Sequence, residues 1–132
     1  MDLKAFSVRF AAEKNASYRE YDDLISVFVL RLPDARYQTV WARIFIHPDY
    51  NSQIVHISSK ICTTDQPIDY ALLLASISNY IHTRFVIEEN FLKAEASFFL
   101  ENVNEAIITE MIMEVATTAD LWEKNITGQD IQ

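Results

Sequence analysis

The sequence predicts an α+β fold in which one antiparallel sheet packs against helices. Segments with strand patterning come in two runs, one of three and one of two, joined by short turn sequences. Segments with helical patterning lie before, between and after these runs, so the predicted element order is α-β-β-β-α-β-β-α. Because strands and helices are segregated rather than alternating, a doubly wound parallel sheet is excluded.

The first predicted element is a helix over residues 3–15. Leu3, Phe6 and Phe10 are spaced for one face of that helix. Phe6, Val8 and Phe10 also alternate, so a strand is the alternative. Asn15 begins a break in either case.

Three strands are predicted next, over residues 23–32, 37–47 and 53–63. They are rich in β-branched and aromatic residues. Pro33-Asp34 and Pro48-Asp49 are turn signals between them. Consecutive strands with such short connections form an antiparallel meander.

The second of these strands has two different faces. Val40, Ala42, Ile44 and Ile46 form an aliphatic face, and Trp41, Arg43 and Phe45 lie on the other. In an antiparallel sheet that packs on helices through one face, the second face exposes its aromatic residues or contacts another chain. The alternative is that a helix of the same chain covers it. We take Trp41, Arg43 and Phe45 as the candidate partner-binding residues.

Residues 67–85 are the most apolar long segment and are predicted to be one amphipathic helix. Its stripe at helical spacing consists of Tyr70, Leu74, Ile77 and Ile81. We expect this helix to carry more of the core than any other element.

A hairpin is predicted over residues 85–100, with Asn90 at its tip, since Asn tolerates a positive φ. On the return strand, Leu92 and Ala94 face the opposite way from Lys93 and Glu95.

The last predicted element is a helix that begins at Asn102, with Glu105 completing a capping box. The predicted buried stripe is Val103, Ile107, Met111, Val115, Ala119 and Trp122. The predicted solvent-facing side is Glu110, Glu114, Thr117 and Glu123.

The amino-acid composition limits which classes of function are plausible for this chain. A chain of 132 residues is one domain, residues 1–132. With 19 acidic and 11 basic residues its net charge is −8, which disfavours nucleic-acid binding. The apolar runs are too short for a membrane helix, and no signal peptide is visible. The single Cys62 forms no internal disulfide, so we expect a cytoplasmic protein.

No residue pattern predicts catalysis, a cofactor or a metal site. His47, His56 and His82 are best explained as scattered surface residues, because only Asp49 is close in sequence to the first two. Cys62 and His56 share a predicted strand face but are too far apart for direct contact. We therefore do not expect an enzyme.

Three segments carry a family resemblance. They are RYQTVWARIF, IDYALLLASISNYIHTRFVIEENFLKAEASFFL and IITEMIMEVATTADLW, the last with Ala119-Asp120-Leu121 at the usual Ala-Asp-apolar position. Through them, residues 36–132 resemble the YbjN family of small bacterial proteins, whose fold is that of type III secretion chaperones. The Gly-Trp often found before the first strand in that family is absent here. The resemblance implies no catalytic residue and no cofactor, and it implies a cytoplasmic domain that often dimerises and offers apolar surface to a partner protein.

Two functional hypotheses follow. The first is a non-catalytic, chaperone-like protein-binding module, a homodimer that self-associates through sheet or aromatic surface. The second is a small enzyme or ligand-binding domain with a pocket between the sheet and the central helix. The lack of a Gly-rich phosphate loop and of a dense His/Asp/Cys cluster favours the first.

Overall fold

A computed structural model describes residues 1–128 and 130. Nine main elements follow one another along the chain: α1 (Leu3–Glu13), β1 (Ser17–Asp22), β2 (Ile25–Leu32), β3 (Arg36–His47), β4 (Ser52–Thr63), α2 (Tyr70–Ser76), β5 (Arg84–Glu88), β6 (Phe91–Phe99) and α3 (Glu105–Thr127). Within these residues, none of the helices combines the length and the apolar character that a bilayer-spanning segment requires.

All strands belong to one antiparallel sheet of six, in the order β1-β2-β3-β4-β6-β5. The predicted fold class is thereby confirmed, and residues 3–13 form the predicted helix rather than the alternative strand. β1 is a strand that the sequence did not predict. Its sequence, SYREYD, is mostly polar and lies at an exposed sheet edge, so it has no apolar periodicity to detect.

Two helices cover one face of the sheet. α1 packs on β1 and β2, and α3 crosses β3, β4 and β6. The core between helices and sheet consists of buried apolar side chains, among them Phe6, Phe10, Phe28, Val40, Ile57, Leu92, Ile108, Met111, Ile112 and Val115. α3 has 23 residues and contributes more of this core than any other helix.

The prediction of one long helix over residues 67–85 is wrong. α2 ends at Ser76, a single turn of 3₁₀-helix follows to Asn79, and Leu73 is the buried side chain of the helix. Leu74 is 58% exposed and Ile81 is 86% exposed, so the predicted stripe is not a core face. The Ser76 hydroxyl donates to the Leu73 carbonyl, a local bond that competes with continuation of the helix.

The burial of Met111 and Val115 on α3 is confirmed, and Glu110 is exposed as predicted. The helix is capped by Asn104 rather than Asn102: the Asn104 side chain accepts from the Ile107 amide at 2.9 Å. Two carboxylates assigned to the solvent-facing side lie elsewhere. Glu123 is fully buried, and Glu114 is partly buried.

The β5–β6 turn agrees with the sequence. Glu89 and Asn90 both have positive φ, 52° and 66°. Two consecutive positive φ values are the requirement of a type I′ hairpin turn, whose twist matches that of the flanking strands. Asn90 therefore takes the predicted conformation at the tip.

Cys62 lies on the core face and not on the face of His56. A register shift between Lys60 and Cys62 adds one residue to β4, which turns the side chains beyond it to the other face. Cys62 pairs with Leu92, a core residue. Its burial, with the nearby charges of Glu123 and Asp65, raises the pKa of the thiol, so a reactive thiolate is disfavoured.

Candidate functional site

The face of the sheet opposite α1 and α3 carries no helix in the part of the chain that the structure describes, and we name it the open face. The predicted residues Trp41, Arg43 and Phe45 all lie on it. The strand register places them opposite small or medium-sized side chains of β2 and β4: Val27 and Ser58 flank Trp41, Ile25 and His56 flank Arg43, and Ile54 is opposite Phe45. The three residues therefore form one row along the centre of this face.

Aromatic rings on the open face hold one another in place. The ring of Trp41, which is 39% exposed, stacks on Tyr21 with ring centroids 5.2 Å apart. The Arg43 guanidinium lies 4.6 Å above the ring of Phe45. Such contacts fix large side chains before any partner arrives, which lowers the entropy cost of binding.

A groove of about 710 Å³ lies at one end of the open face. It is lined by Phe45, Tyr50 and Phe99, together with Arg43 and Arg84. The groove is open to solvent rather than enclosed, so it offers a surface for contact.

A polar cluster crosses the open face beside this groove. The His56 ring contacts Glu95 through Nε2 at 3.2 Å and Ser97 through Nδ1 at 2.9 Å. Arg84 donates to Glu95 Oε1 at 2.9 Å and to Ser97 Oγ at 3.0 Å. β4, β5 and β6 thus each supply part of one connected network.

Glu95 is the buried centre of that network, with 8% exposure. Burial disfavours its ionised form, but the hydrogen bond and charge of His56, with those of Arg84, outweigh burial and hold the pKa of Glu95 below its ordinary value. A carboxylate held ionised by its contacts with His56 and Arg84 stabilises the sheet surface. It is poorly suited to act as a general base, which needs a pKa raised toward neutrality.

The sequence did not single out Arg84, Glu95 or Ser97. The available signal was Glu95 itself, a lone acidic residue in an otherwise apolar and small-residue stretch of the return strand. The prediction that His56 is a scattered surface residue is wrong, because its ring contacts Glu95 and Ser97. The two histidines of the β3–β4 hairpin do not meet, because His56 is opposite Arg43, which is four residues from His47 along β3, or about 13 Å. The ring of Phe45 lies near both, with centroids 6.4 Å from His47 and 6.3 Å from His56.

Three acidic residues near the end of α3, Asp120, Glu123 and Asp130, have carboxylate oxygens within 4.8 Å of one another. Arg36 already pairs with this group: its Nε lies 2.8 Å from Asp120, and its Nη2 lies 3.5 Å from Glu123. The guanidinium supplies the positive charge that a metal ion would otherwise bring. Asp120, within the Ala-Asp-Leu segment, therefore has a structural role.

The space between the sheet and α2, where the alternative hypothesis put a pocket, is a shallow apolar groove of about 260 Å³. It is lined by Tyr70, Leu74 and Ile87, together with other apolar residues and no charged ones. Those side chains offer hydrophobic contact but no acid, base or nucleophile.

Comparison with known proteins supports the fold. No family model matches the chain, and no curated protein matches it. One chain in the crystal structure of the ExsC–ExsE complex is similar, with a TM-score of 0.50 and 14% sequence identity, covering 96% of this chain and 97% of that one. Likeness at this identity concerns the fold alone, and it agrees with the α+β fold that the sequence predicts. The resemblance to the YbjN family in particular gains no support from these comparisons.

Proposed function

We propose that the protein is a non-catalytic, chaperone-like binding module that holds a segment of another polypeptide on the open face of its sheet. The observation that carries the proposal is the row of Trp41, Arg43 and Phe45, exposed or half-buried at the centre of a face without helices. Trp and Arg are the side chains that most often dominate protein–protein binding energy. The sheet beneath them is rigid, because its other face is the core.

The chemistry of the face favours binding over turnover. The polar cluster around Glu95 pairs its charged groups with each other, and the groove beside it is open. A hydrolytic or acid–base site would instead need a titratable group whose pKa lies near the operating pH, in a pocket that excludes water, and the pKa of Glu95 is shifted the other way. The similar solved chain belongs to a complex of two proteins, ExsC and ExsE, and a protein partner for this chain is the corresponding expectation.

We also propose that the protein acts as a homodimer, with the contact at α2 and β5. β5 is an edge strand, and the apolar side chains beside it are exposed: Tyr70 by 40%, Leu74 by 58% and Ile87 by 58%. A two-fold contact would cover this patch with its own copy. Contact between two open faces is disfavoured, because their charges have the same sign, as described below.

The reduced state of Cys62, buried and unpaired, is in keeping with the cytoplasm as the compartment. A free thiol is the usual state of cysteine in that compartment.

The binding proposal is tested by affinity purification from the native cell with three forms of the protein. These are the natural chain, Trp41→Glu and Leu121→Glu. Leu121 is a matched control, since it is 50% exposed on α3, away from the open face. We expect a polypeptide that co-purifies with the natural chain and Leu121→Glu but not with Trp41→Glu. Equal recovery with all three forms would place binding elsewhere.

A further inference from the structure

The six arginines fall into two groups of three. Arg9, Arg36 and Arg84 each form an ion pair with a carboxylate. The other three stack on aromatic rings instead: Arg19 lies over Tyr21, Arg31 over Tyr37 and Arg43 over Phe45. Within residues 1–128 and 130, none of these three stacked arginines has an acidic partner.

All three stacked arginines lie on the open face. The register pairs Arg19 with Val27, Arg31 with Tyr37 and Arg43 with Ile25, and Val27 in turn pairs with Trp41. Residues directly opposite in an antiparallel sheet share a face. The arginines that stack on rings instead of pairing with a carboxylate therefore all lie on the one surface that the helices leave uncovered.

The charge balance of the open face has the opposite sign from that of the chain. By register, its strands carry six cationic residues: Arg19, Arg31, Arg43, Lys60, Arg84 and Lys93. They carry three acidic residues, and each of these is engaged: Asp22 accepts from the Leu24 amide, Glu88 pairs with Lys93, and Glu95 pairs with Arg84. This is an excess of three positive charges on a chain whose net charge is −8. Glu89, in the hairpin turn, also borders this face and lowers the excess by one.

The spacing of the stacked arginines suggests the length of what binds there. Arg31 is six residues beyond Ile25 along β2, and Ile25 is opposite Arg43. Six residues of strand span about 20 Å. Along the strands between these two arginines lie the pairs of Val27 with Trp41, which is apolar, and Val29 with Thr39.

We propose that the open face binds an extended peptide segment of the partner protein that carries Asp or Glu residues separated by apolar ones. The carboxylates pair with Arg43 and Arg31, and the apolar side chains between them cover Trp41 and Val27. The inference rests on the proposed function and adds the chemistry of the partner. Charge complementarity carries it, because an acidic chain that keeps its unpaired arginines on one face favours an acidic ligand there.

A phosphate polymer or an anionic membrane would also meet positive charge on this face. Both are disfavoured, because the local excess is small, the rest of the chain is acidic, and the arginines are separated by aliphatic and aromatic side chains rather than arranged as a continuous basic track.

The probe is a phage-displayed library of random peptides of about 12 residues, long enough to span the distance between the two arginines. Selection is carried out on the natural chain and, in parallel, on Trp41→Glu. We expect peptides enriched on the natural chain alone to hold an excess of Asp and Glu together with apolar residues. The affinity of the protein for a synthetic copy of a selected peptide should be about tenfold lower in the Arg43→Gln variant. For the natural chain, this affinity should decrease as salt is added.

The matched control is Lys124→Gln, which removes the same charge from an exposed position on α3. It should leave the affinity unchanged. Arg31→Gln provides a second variant on the open face, and circular dichroism establishes that each variant is folded. Loss of affinity in Arg43→Gln or Arg31→Gln, with retention in Lys124→Gln, supports the proposal.

The experiment distinguishes failure of the acidic-segment inference from failure of the proposed binding function. Peptides that bind through Trp41 but show no acidic excess, or that bind Arg43→Gln and Arg31→Gln normally, would overturn the acidic-segment inference and leave the binding module intact. No enrichment on the natural chain over Trp41→Glu would overturn both. Tighter binding of single-stranded oligothymidylate or of phosphatidylserine vesicles than of any selected peptide would replace the peptide with a polyanion.

Discussion

The carboxylate of Glu114 accepts hydrogen bonds from both the backbone amide and the hydroxyl of Thr83, at 2.8 and 2.7 Å. It also accepts from the amides of Ile81 and His82. One side chain of α3 thus satisfies three consecutive backbone donors in the segment that leads from α2 into β5. This arrangement holds residues 81–83 out of a helical conformation and positions the edge strand.

The substitution Glu114→Ala should destabilise the fold. A solvent-facing Glu114, as the sequence predicts, would make this substitution nearly silent, but the contacts of its carboxylate imply a cost. Hydrogen bonds to a charged group contribute about 1.5–3 kcal/mol, and their loss would leave the three amides without this acceptor. Urea unfolding should show a lower midpoint for Glu114→Ala, whereas Glu110→Ala, at an exposed position one turn away, should change stability by less than about 0.5 kcal/mol. Equal midpoints for the two variants would mean that the Glu114 contacts are not maintained in solution.

The same carboxylate predicts a pH dependence. Burial disfavours ionisation of Glu114, but the Thr83 hydroxyl and the backbone amides outweigh it and lower its pKa. A group whose pKa is lower in the folded state stabilises the fold above its unfolded pKa, and this contribution is lost as the pH falls through the folded value. The natural chain should therefore exceed Glu114→Gln in stability at neutral pH, and the difference should shrink below pH ~4.3, the ordinary value for Glu. A difference that stays constant from neutral to strongly acidic pH would refute this account.

Neighbouring leucines of α2 should respond very differently to the same substitution. Leu73 is 1% exposed and Leu74 is 58% exposed. Leu73→Ala should cost about 2–5 kcal/mol, because a buried Leu leaves a cavity. Leu74→Ala should cost less than about 0.5 kcal/mol. Chemical denaturation of the two variants measures both values, and similar costs would mean that the orientation of α2 differs from the one described.

The ion pairs of Arg36 should contribute far more to the stability of the fold than an exposed ion pair does. Arg36→Met removes the guanidinium that lies 3.5 Å from the fully buried Glu123. Breaking a buried pair from one side costs about 3–5 kcal/mol, since a charge is left uncompensated. Arg9→Met, which removes an exposed pair with Glu105, should cost about 0–1 kcal/mol. Thermal melting of the two variants gives the comparison, and the ranking would be refuted if Arg9→Met melted at the same temperature as Arg36→Met or lower.

Sedimentation should reveal a dimer of the natural chain and identify its contact. We expect Leu74→Glu and Ile87→Glu to be monomers, because a charge placed in an apolar interface must be desolvated without a partner. Trp41→Glu lies on the open face and should remain a dimer. A monomeric natural chain at all concentrations would defeat the dimer proposal, and a monomer produced only by Trp41→Glu would move the contact to the open face.

Local periodicity was enough to predict the fold class and much of the candidate site. The alternation of β3 separates Val40 and Ala42 from Trp41 and Arg43, and the structure buries the first two and exposes the others. The helical period of α3 correctly places Met111 and Val115 in the core. These patterns are visible in the sequence because residues two apart on a strand, or three to four apart on a helix, share a face whatever the rest of the chain does.

Only the tertiary structure decided which polar groups have partners. Glu114 and Glu123 look like solvent-facing residues by their position on α3, but they bind residues 81–83 and Arg36 far away in sequence. The bulge that turns Cys62 toward the core and the pairing of β1 with β2 likewise depend on neighbouring strands. The periodicity of apolar residues shows which side of a segment faces the core and which side faces water. The identity of a hydrogen-bond or ion-pair partner depends on which distant segments the fold brings together. For this reason the polar network and the stacked arginines of the open face could be identified only from the tertiary structure.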